Sequence, residues 1–335
     1  MYFTFGISGA FSPAMLQTIS STRQTGSTLK IGVGVKQGPD AFEAVLAAAA
    51  MAREDLDGAT PNLAIVVTTA PPRGDLTRAL RSVFGPVGIT GGVTAGLLTE
   101  QGFVTEGALV LCVSNAEGGA SGVAATSGRR LSDAAQAAAR LVLAGWPFRG
   151  RYPRGISLAF TGHGSGAAST GFLANWRELM GPKMRTVCGV MTTPTVFGAS
   201  SGPALASVGC LEAPYLMGLG VAEAGGAPAP DAGALIHGSV DATRTALKWL
   251  EGHPARLVLA LESAARFRAL GADAKSEWAA IREQVHQHNG QGGVCVGWLC
   301  DEVAAYGRGV HPVDVPGGLV VAALGDAARD SDRLG

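Results

Sequence analysis

Three separate stretches of this chain spell the same unit: an apolar strand, a loop with glycine or proline, a helical segment, and a second strand carrying glycine. The first joins a strand at 63–69 through Pro71-Pro72-Arg73-Gly74 and a helix at 75–84 to Ile89-Thr90-Gly91-Gly92-Val93-Thr94-Ala95-Gly96. The second joins 156–161 through Gly162-His163-Gly164-Ser165-Gly166 and a helix at 171–180 to Thr186-Val187-Cys188-Gly189-Val190-Met191. The third joins 257–261 through 262–271 and a helix at 273–288 to Val294-Cys295-Val296-Gly297-Trp298-Leu299-Cys300. Such recurrence constrains the fold strongly, because each unit leaves an apolar face that a neighbouring unit must cover. It predicts an α/β fold, layered in the α+β manner, of repeated strand-loop-helix-strand units. The glycine-bearing strand ends should then converge, and converging loops are where a site is expected.

A length of 335 residues predicts two domains. Hydrophobic residues make up 47% and charged ones only 16%, the balance of a packed chain. Twenty-six basic residues match twenty-six acidic ones, so no basic excess displaces counterions from nucleic acid, and no partner of that class is expected. Zero net charge also removes self-repulsion, which favours a homo-oligomer or a partner protein. The five cysteines, an odd number set mostly in apolar runs, read as reduced buried thiols of a cytoplasmic protein. No apolar run reaches the roughly 18 residues of a membrane-spanning helix without interruption.

The Pro/Gly/Ala run Gly225-Gly226-Ala227-Pro228-Ala229-Pro230 is the clearest boundary. It divides the chain into a leader or arm at 1–28, a domain at 29–230, a second at 231–325 and a tail at 326–335. The leader is apolar and Ser/Thr-rich without the charged start of a secretory signal, so organelle targeting or an assembly role stays open for it. Between the repeats, Lys30-Ile31-Gly32-Val33-Gly34-Val35 predicts a strand, and Asp40 caps a helix with an apolar stripe at Phe42, Val45, Leu46, Ala49 and Ala50. A short strand is expected at 234–237 and a helix at 241–250.

Several of these segments resemble the FIST family. They are Gly32-Val33-Gly34-Val35 with its Ala-rich helix and Leu63-Ala64-Ile65-Val66-Val67; Ile89-Thr90-Gly91-Gly92-Val93-Thr94-Ala95-Gly96; Ser263-Ala264-Ala265-Arg266 with Leu270-Gly271; and Gly297-Trp298-Leu299-Cys300-Asp301-Glu302. Ala264 stands where the family has cysteine, and Asp301 where it has glycine. The resemblance implies FIST N and FIST C domains and a non-enzymatic, sensory, signal-transducing protein that holds a small, amino-acid-like ligand. It implies one alternative as well, a haem-binding gas sensor. Zero net charge, low charge density and the apolar N-terminal arm permit another, a self-assembling protein with a diverged pocket.

The expected ligand-binding residues are Arg266, Glu302, Thr94 and His163. Arginine offers a fork for a carboxylate or phosphate, and Glu302 could hold an ammonium group. The same two residues could instead form a structural salt bridge closing the strand ends. Gly162-His163-Gly164-Ser165-Gly166-Ala167 fits a dinucleotide-binding pattern but lacks an acidic residue at the required distance. The six histidines show no zinc-binding spacing, so no metal and no cofactor other than haem is expected. Gly-x-Ser-x-Gly is absent and carboxylates flank Cys300, so no catalytic residue is assigned.

Overall fold

A computed structural model of the chain describes residues 29–115, 120–126, 130–144, 155–162, 166–193, 196–197, 204–212, 215–223, 231–289, 293–307, 310–315 and 317–326. The expected leader at 1–28 and most of the tail lie outside them.

The elements fall into three units of one design. The first is β1 (Leu29–Gln37), α1 (Ala41–Asp55), β2 (Leu63–Thr68), α2 (Leu76–Phe84), β3 (Gly88–Val93), β4 (Leu97–Thr99), β5 (Gly102–Val104) and β6 (Gly107–Asn115). The second is β7 (Ala120–Thr126), α3 (Leu131–Ala144), β8 (Gly155–Thr161), α4 (Gly166–Met180), β9 (Met184–Val190), β10 (Val196–Phe197) and β11 (Ala206–Glu212). The third is β12 (Tyr215–Ala222), α5 (Ala232–Lys248), β13 (Ala255–Ser263), α6 (Ala264–Leu270), α7 (Ala274–Asn289), β14 (Val294–Cys300), β15 (Glu302–Gly307), β16 (Val310–Val315) and β17 (Leu319–Asp326).

Each unit builds the same four-stranded sheet, in the orders β1-β6-β2-β3, β7-β11-β8-β9 and β12-β17-β13-β14. The inner pairs β2/β3, β8/β9 and β13/β14 are parallel, as a helical crossover requires. These are the three repeats legible in the sequence, and the fold is the expected layered α/β one. The full repeat is larger, since a leading strand and helix and a closing antiparallel strand recur too.

The units also exchange strands. The first unit's β4 pairs with β14 and carries β5, the third unit's β15 pairs with β9 and carries β16, and the second unit's β10 pairs with β3. Each unit gives to one neighbour and receives from the other, so the exchange closes into a ring.

The core follows from strands covered on both faces, which read as unbroken apolar runs. All six residues of β2 are buried. Leu63, Ile65 and Val67 join Ile156, Leu158 and Phe160 and then Leu257, Leu259 and Leu261 in one central core made of strand residues from all three sheets. The alternate residues (Ala64 and Val66, Ala159, Val258 and Ala260) face each unit's own helices. Strands are therefore inside and helices outside.

Two helices come unusually close to their strands. A Cβ on Gly32 or Gly34 of β1 would lie 2.1 or 1.8 Å from the carbonyl oxygens of Ala52 or Ala48 in α1. In the third unit, a Cβ on Gly218 or Gly220 of β12 would lie 1.7 or 1.8 Å from those of Ala246 or Ala242 in α5. A Gly-x-Gly strand thus meets alanines four apart on a helix, so that backbone packs on backbone.

The strand expected at 234–237 is the first turns of α5. Asp231 caps this helix by accepting from Gly233 N at 3.3 Å, and Leu235, Ser239, Ala242, Thr243, Ala246 and Leu247 form its buried stripe. A short apolar run carries no period of its own, and here the helical spacing beyond it decides. Among the described residues no helix is long and apolar enough to cross a membrane.

Candidate functional site at the strand crossovers

The three parallel pairs share one register near their ends, and β13/β14 continues one pair further, Ser263 with Cys300. Thr68 faces Val93, Thr161 faces Val190, and Glu262 faces Leu299, so Val93, Val190 and Leu299 are equivalent residues. Their carbonyl oxygens are where one unit hands over to the next. Thr192 N and Oγ1 both donate to Val93 O at 3.2 Å, Asp301 N donates to Val190 O at 2.8 Å, and Thr94 Oγ1 donates to Leu299 O. Leu299 N returns a bond to Gly96 O at 2.9 Å.

The residues that follow Val93, Val190 and Leu299 along the chain, Thr94, Met191 and Cys300, are fully buried and close the end of the core. Burial pushes the Cys300 thiol well up from its ordinary value, with Cys188 and Asp301 adding to that, so it is a protonated plug and not a nucleophile. One residue further on the chain reaches solvent: Ala95 is exposed, and Thr192, Thr193, Asp301 and Glu302 are half-buried. Glu302 stands opposite Val190 in the β15/β9 ladder. The mouth is therefore rich in acceptors, with threonine hydroxyls from the second unit and two carboxylates from the third. Such a set suits a ligand that donates hydrogen bonds, and a carboxylate there can also take a proton.

Of the four residues expected to bind a ligand, Thr94 and Glu302 come to this same end of the core. His163 lies outside the described residues. Arg266 leaves the strand ends and turns into the helix layer. Its Nε donates to Glu277 Oε1 at 2.8 Å, and its Nη2 donates to Ser239 Oγ at 2.8 Å and to Leu235 O, with no part of the side chain exposed. The salt bridge weighed for Arg266 therefore exists, but with Glu277 on α7 and not with Glu302. The sequence does hold the signal for this partner. Glu277 sits in the buried stripe of α7 with Ala274, Trp278, Ile281 and Val285, where a lone charge needs a countercharge.

Beneath this pair lies Glu262, which occupies the position that Thr68 and Thr161 take in the other units. Burial raises its carboxyl pKa well above the ordinary 4.5, the charge of Glu277 and a hydrogen bond to Glu277 raise it further, and Arg266 opposes the shift. The folded protein thus holds a proton here that the unfolded chain releases above about pH 4.5. Stability from this group is unaffected below that value and falls as pH rises towards the folded pKa. Glu262→Gln, which keeps the hydrogen bond but cannot ionise, should match the wild type in thermal melts near about pH 5 and exceed it near about pH 9. Parallel melting curves across that range would remove Glu262 from the account.

No family model matches the chain, and no curated protein does. Among solved structures it is similar to a cyanuric acid hydrolase from A. caulinodans, at 12% identity and a TM-score of 0.48, over 91% of this chain and 100% of that one. A second cyanuric acid hydrolase, described as an evolutionary innovation by structural concatenation, gives 12% identity and 0.38 over 90% and 100%. PurLQS from Thermotoga maritima gives 10% and 0.28 over 90% and 74%. The FIST resemblance is therefore corrected, together with the non-enzymatic sensory role and its self-assembly and haem-sensor alternatives. No family model supports FIST.

Proposed function

We propose that the protein is an enzyme acting on a small molecule with N–H groups, such as an amide, imide or amine, held at the mouth of the strand crossovers. The observation that carries this reading is the half-buried pair Asp301 and Glu302, set at a crossover beside the threonines of another unit. Ligands of open α/β sheets sit outside the carboxyl ends of parallel strands, and three such ends meet here. Thr192 and Thr193 would orient the molecule, and a carboxylate would accept its N–H or act as general base. The five free, buried cysteines support a reducing, cytoplasmic setting.

The test is a panel of small N–H compounds: cyanuric acid, whose name the two similar hydrolase structures carry, with hydantoin and acetylurea. Each is followed for consumption and for a ligand-induced rise in Tm. At least one should be consumed, and Asp301→Asn or Glu302→Gln, shown to be folded by circular dichroism, should slow it by roughly 10²–10⁴-fold. A panel that leaves the wild type unmoved, or turnover undiminished in both variants, would overturn the reading.

A further inference from the structure

A groove of about 660 Å³ opens on the outer wall, between β1 and α1 of the first unit and β14 of the third. It lies by the start of β14, away from the mouth at that strand's far end. Its apolar walls include Val33, Val296 and the exposed Met51, and Glu54, Asp55 and Glu100 supply three carboxylates. Arg53 and Lys30 are held outside the groove, and Arg282 reaches its rim only at the backbone of Glu100. Arg53 Nη1 donates to Val83 O at 2.5 Å, Lys30 pairs with Asp57 at 3.5 Å, and Arg282 Nη1 donates to the backbone carbonyl of Glu100 at 2.7 Å. The carboxylates therefore face an apolar cleft with no lysine or arginine among its lining residues.

We propose that this groove binds a small amphipathic cation: an ammonium or guanidinium group on an apolar body. The volume falls within the range of small-molecule sites, roughly 300–1,000 Å³. Charge selects a cation for the acidic rim, and the valines and Met51 select an apolar body behind it. A peptide strand added along β1 is disfavoured, because Asp55 already occupies the open edge, accepting from Val33 N at 3.0 Å. The exposed methionine adds an adaptable wall that fits bodies of different shape.

Calorimetric titration of the full chain with hexylammonium, hexanol and hexanoate tests the proposal. Hexylammonium should bind saturably and more weakly as ionic strength rises, with hexanol at least about tenfold weaker and hexanoate not binding. Glu54→Gln with Glu100→Gln should weaken the amine by about tenfold, while Asp55, which holds β1, is left in place. A Tm equal to wild type shows that the double variant is intact. Hexanol binding as tightly as hexylammonium, amine binding undiminished in the folded double variant, or no saturable binding of the amine would each overturn it.

Discussion

Valine at Gly218 is expected to leave almost no folded protein. A Cβ there would sit 1.7 Å from the carbonyl oxygen of Ala246, and what it meets is helix backbone, which cannot turn aside as a side chain can. Relief requires α5 to move off β12, and α5 also carries Leu235 and Ser239, which hold Arg266. Overpacking of one methylene costs about 1–3 kcal/mol in a core that can relax, so a branched side chain against rigid backbone should cost more than about 4. Gly34→Val should behave alike, because a Cβ there would lie 1.8 Å from the carbonyl oxygen of Ala48. Gly171 in α4 is the contrast, with nothing within 4 Å of an added Cβ. Gly171→Ala should stabilise by about 0.5–1 kcal/mol through helix propensity alone. Urea midpoints of the three variants check this, and a Gly218→Val protein that melts near the wild type would refute the close packing.

Arg266→Ala is expected to cost roughly 3–5 kcal/mol of unfolding free energy, since it strands a buried carboxylate. Glu277 would keep Ser239 as a partner but lose its countercharge, beside a second carboxyl at Glu262. Arg266→Lys should rescue little, because one ammonium cannot reproduce the bonds that Nε and Nη2 make in different directions. The double change Arg266→Met with Glu277→Leu should recover much of the loss, as an apolar pair removes both buried charges together. Guanidinium denaturation of the three variants measures it. An Arg266→Ala protein as stable as wild type would return Arg266 to the role of a ligand-binding residue.

The three strand-helix-strand repeats could be read because each is contiguous and its strands are apolar on both faces. The exchange of strands could not, since it depends on pairs such as Trp298 with Leu97 that no local pattern couples. The partner of Arg266 sits on a different helix, and its only local signal is Glu277's place in the buried stripe of α7. The limit of local patterns also explains why small-residue motifs pointed to the wrong family. Ser263 caps α6 by accepting from Arg266 N at 3.0 Å. Gly91 and Gly297 are glycines because a Cβ would meet Val66 O at 1.7 Å or Ala260 O at 2.2 Å in the neighbouring parallel strand. Any strand-helix-strand unit packed this tightly needs such residues, so they report the fold and not the ligand. Thr94 and Glu302 were legible as candidates because they are polar residues at glycine-rich strand ends. Thr192 had no such signal, and its place became clear only when its backbone N–H met Val93 O.

The most direct measurement is a methyl NMR titration of threonine-labelled protein with cyanuric acid, hydantoin and acetylurea in turn. The mouth as active site predicts that the first and largest shifts fall on Thr192 and Thr193, with Thr94 following beneath them. Shifts centred instead on Thr99 in the outer groove or Thr243 in the helix layer, or none with any compound, would contradict it.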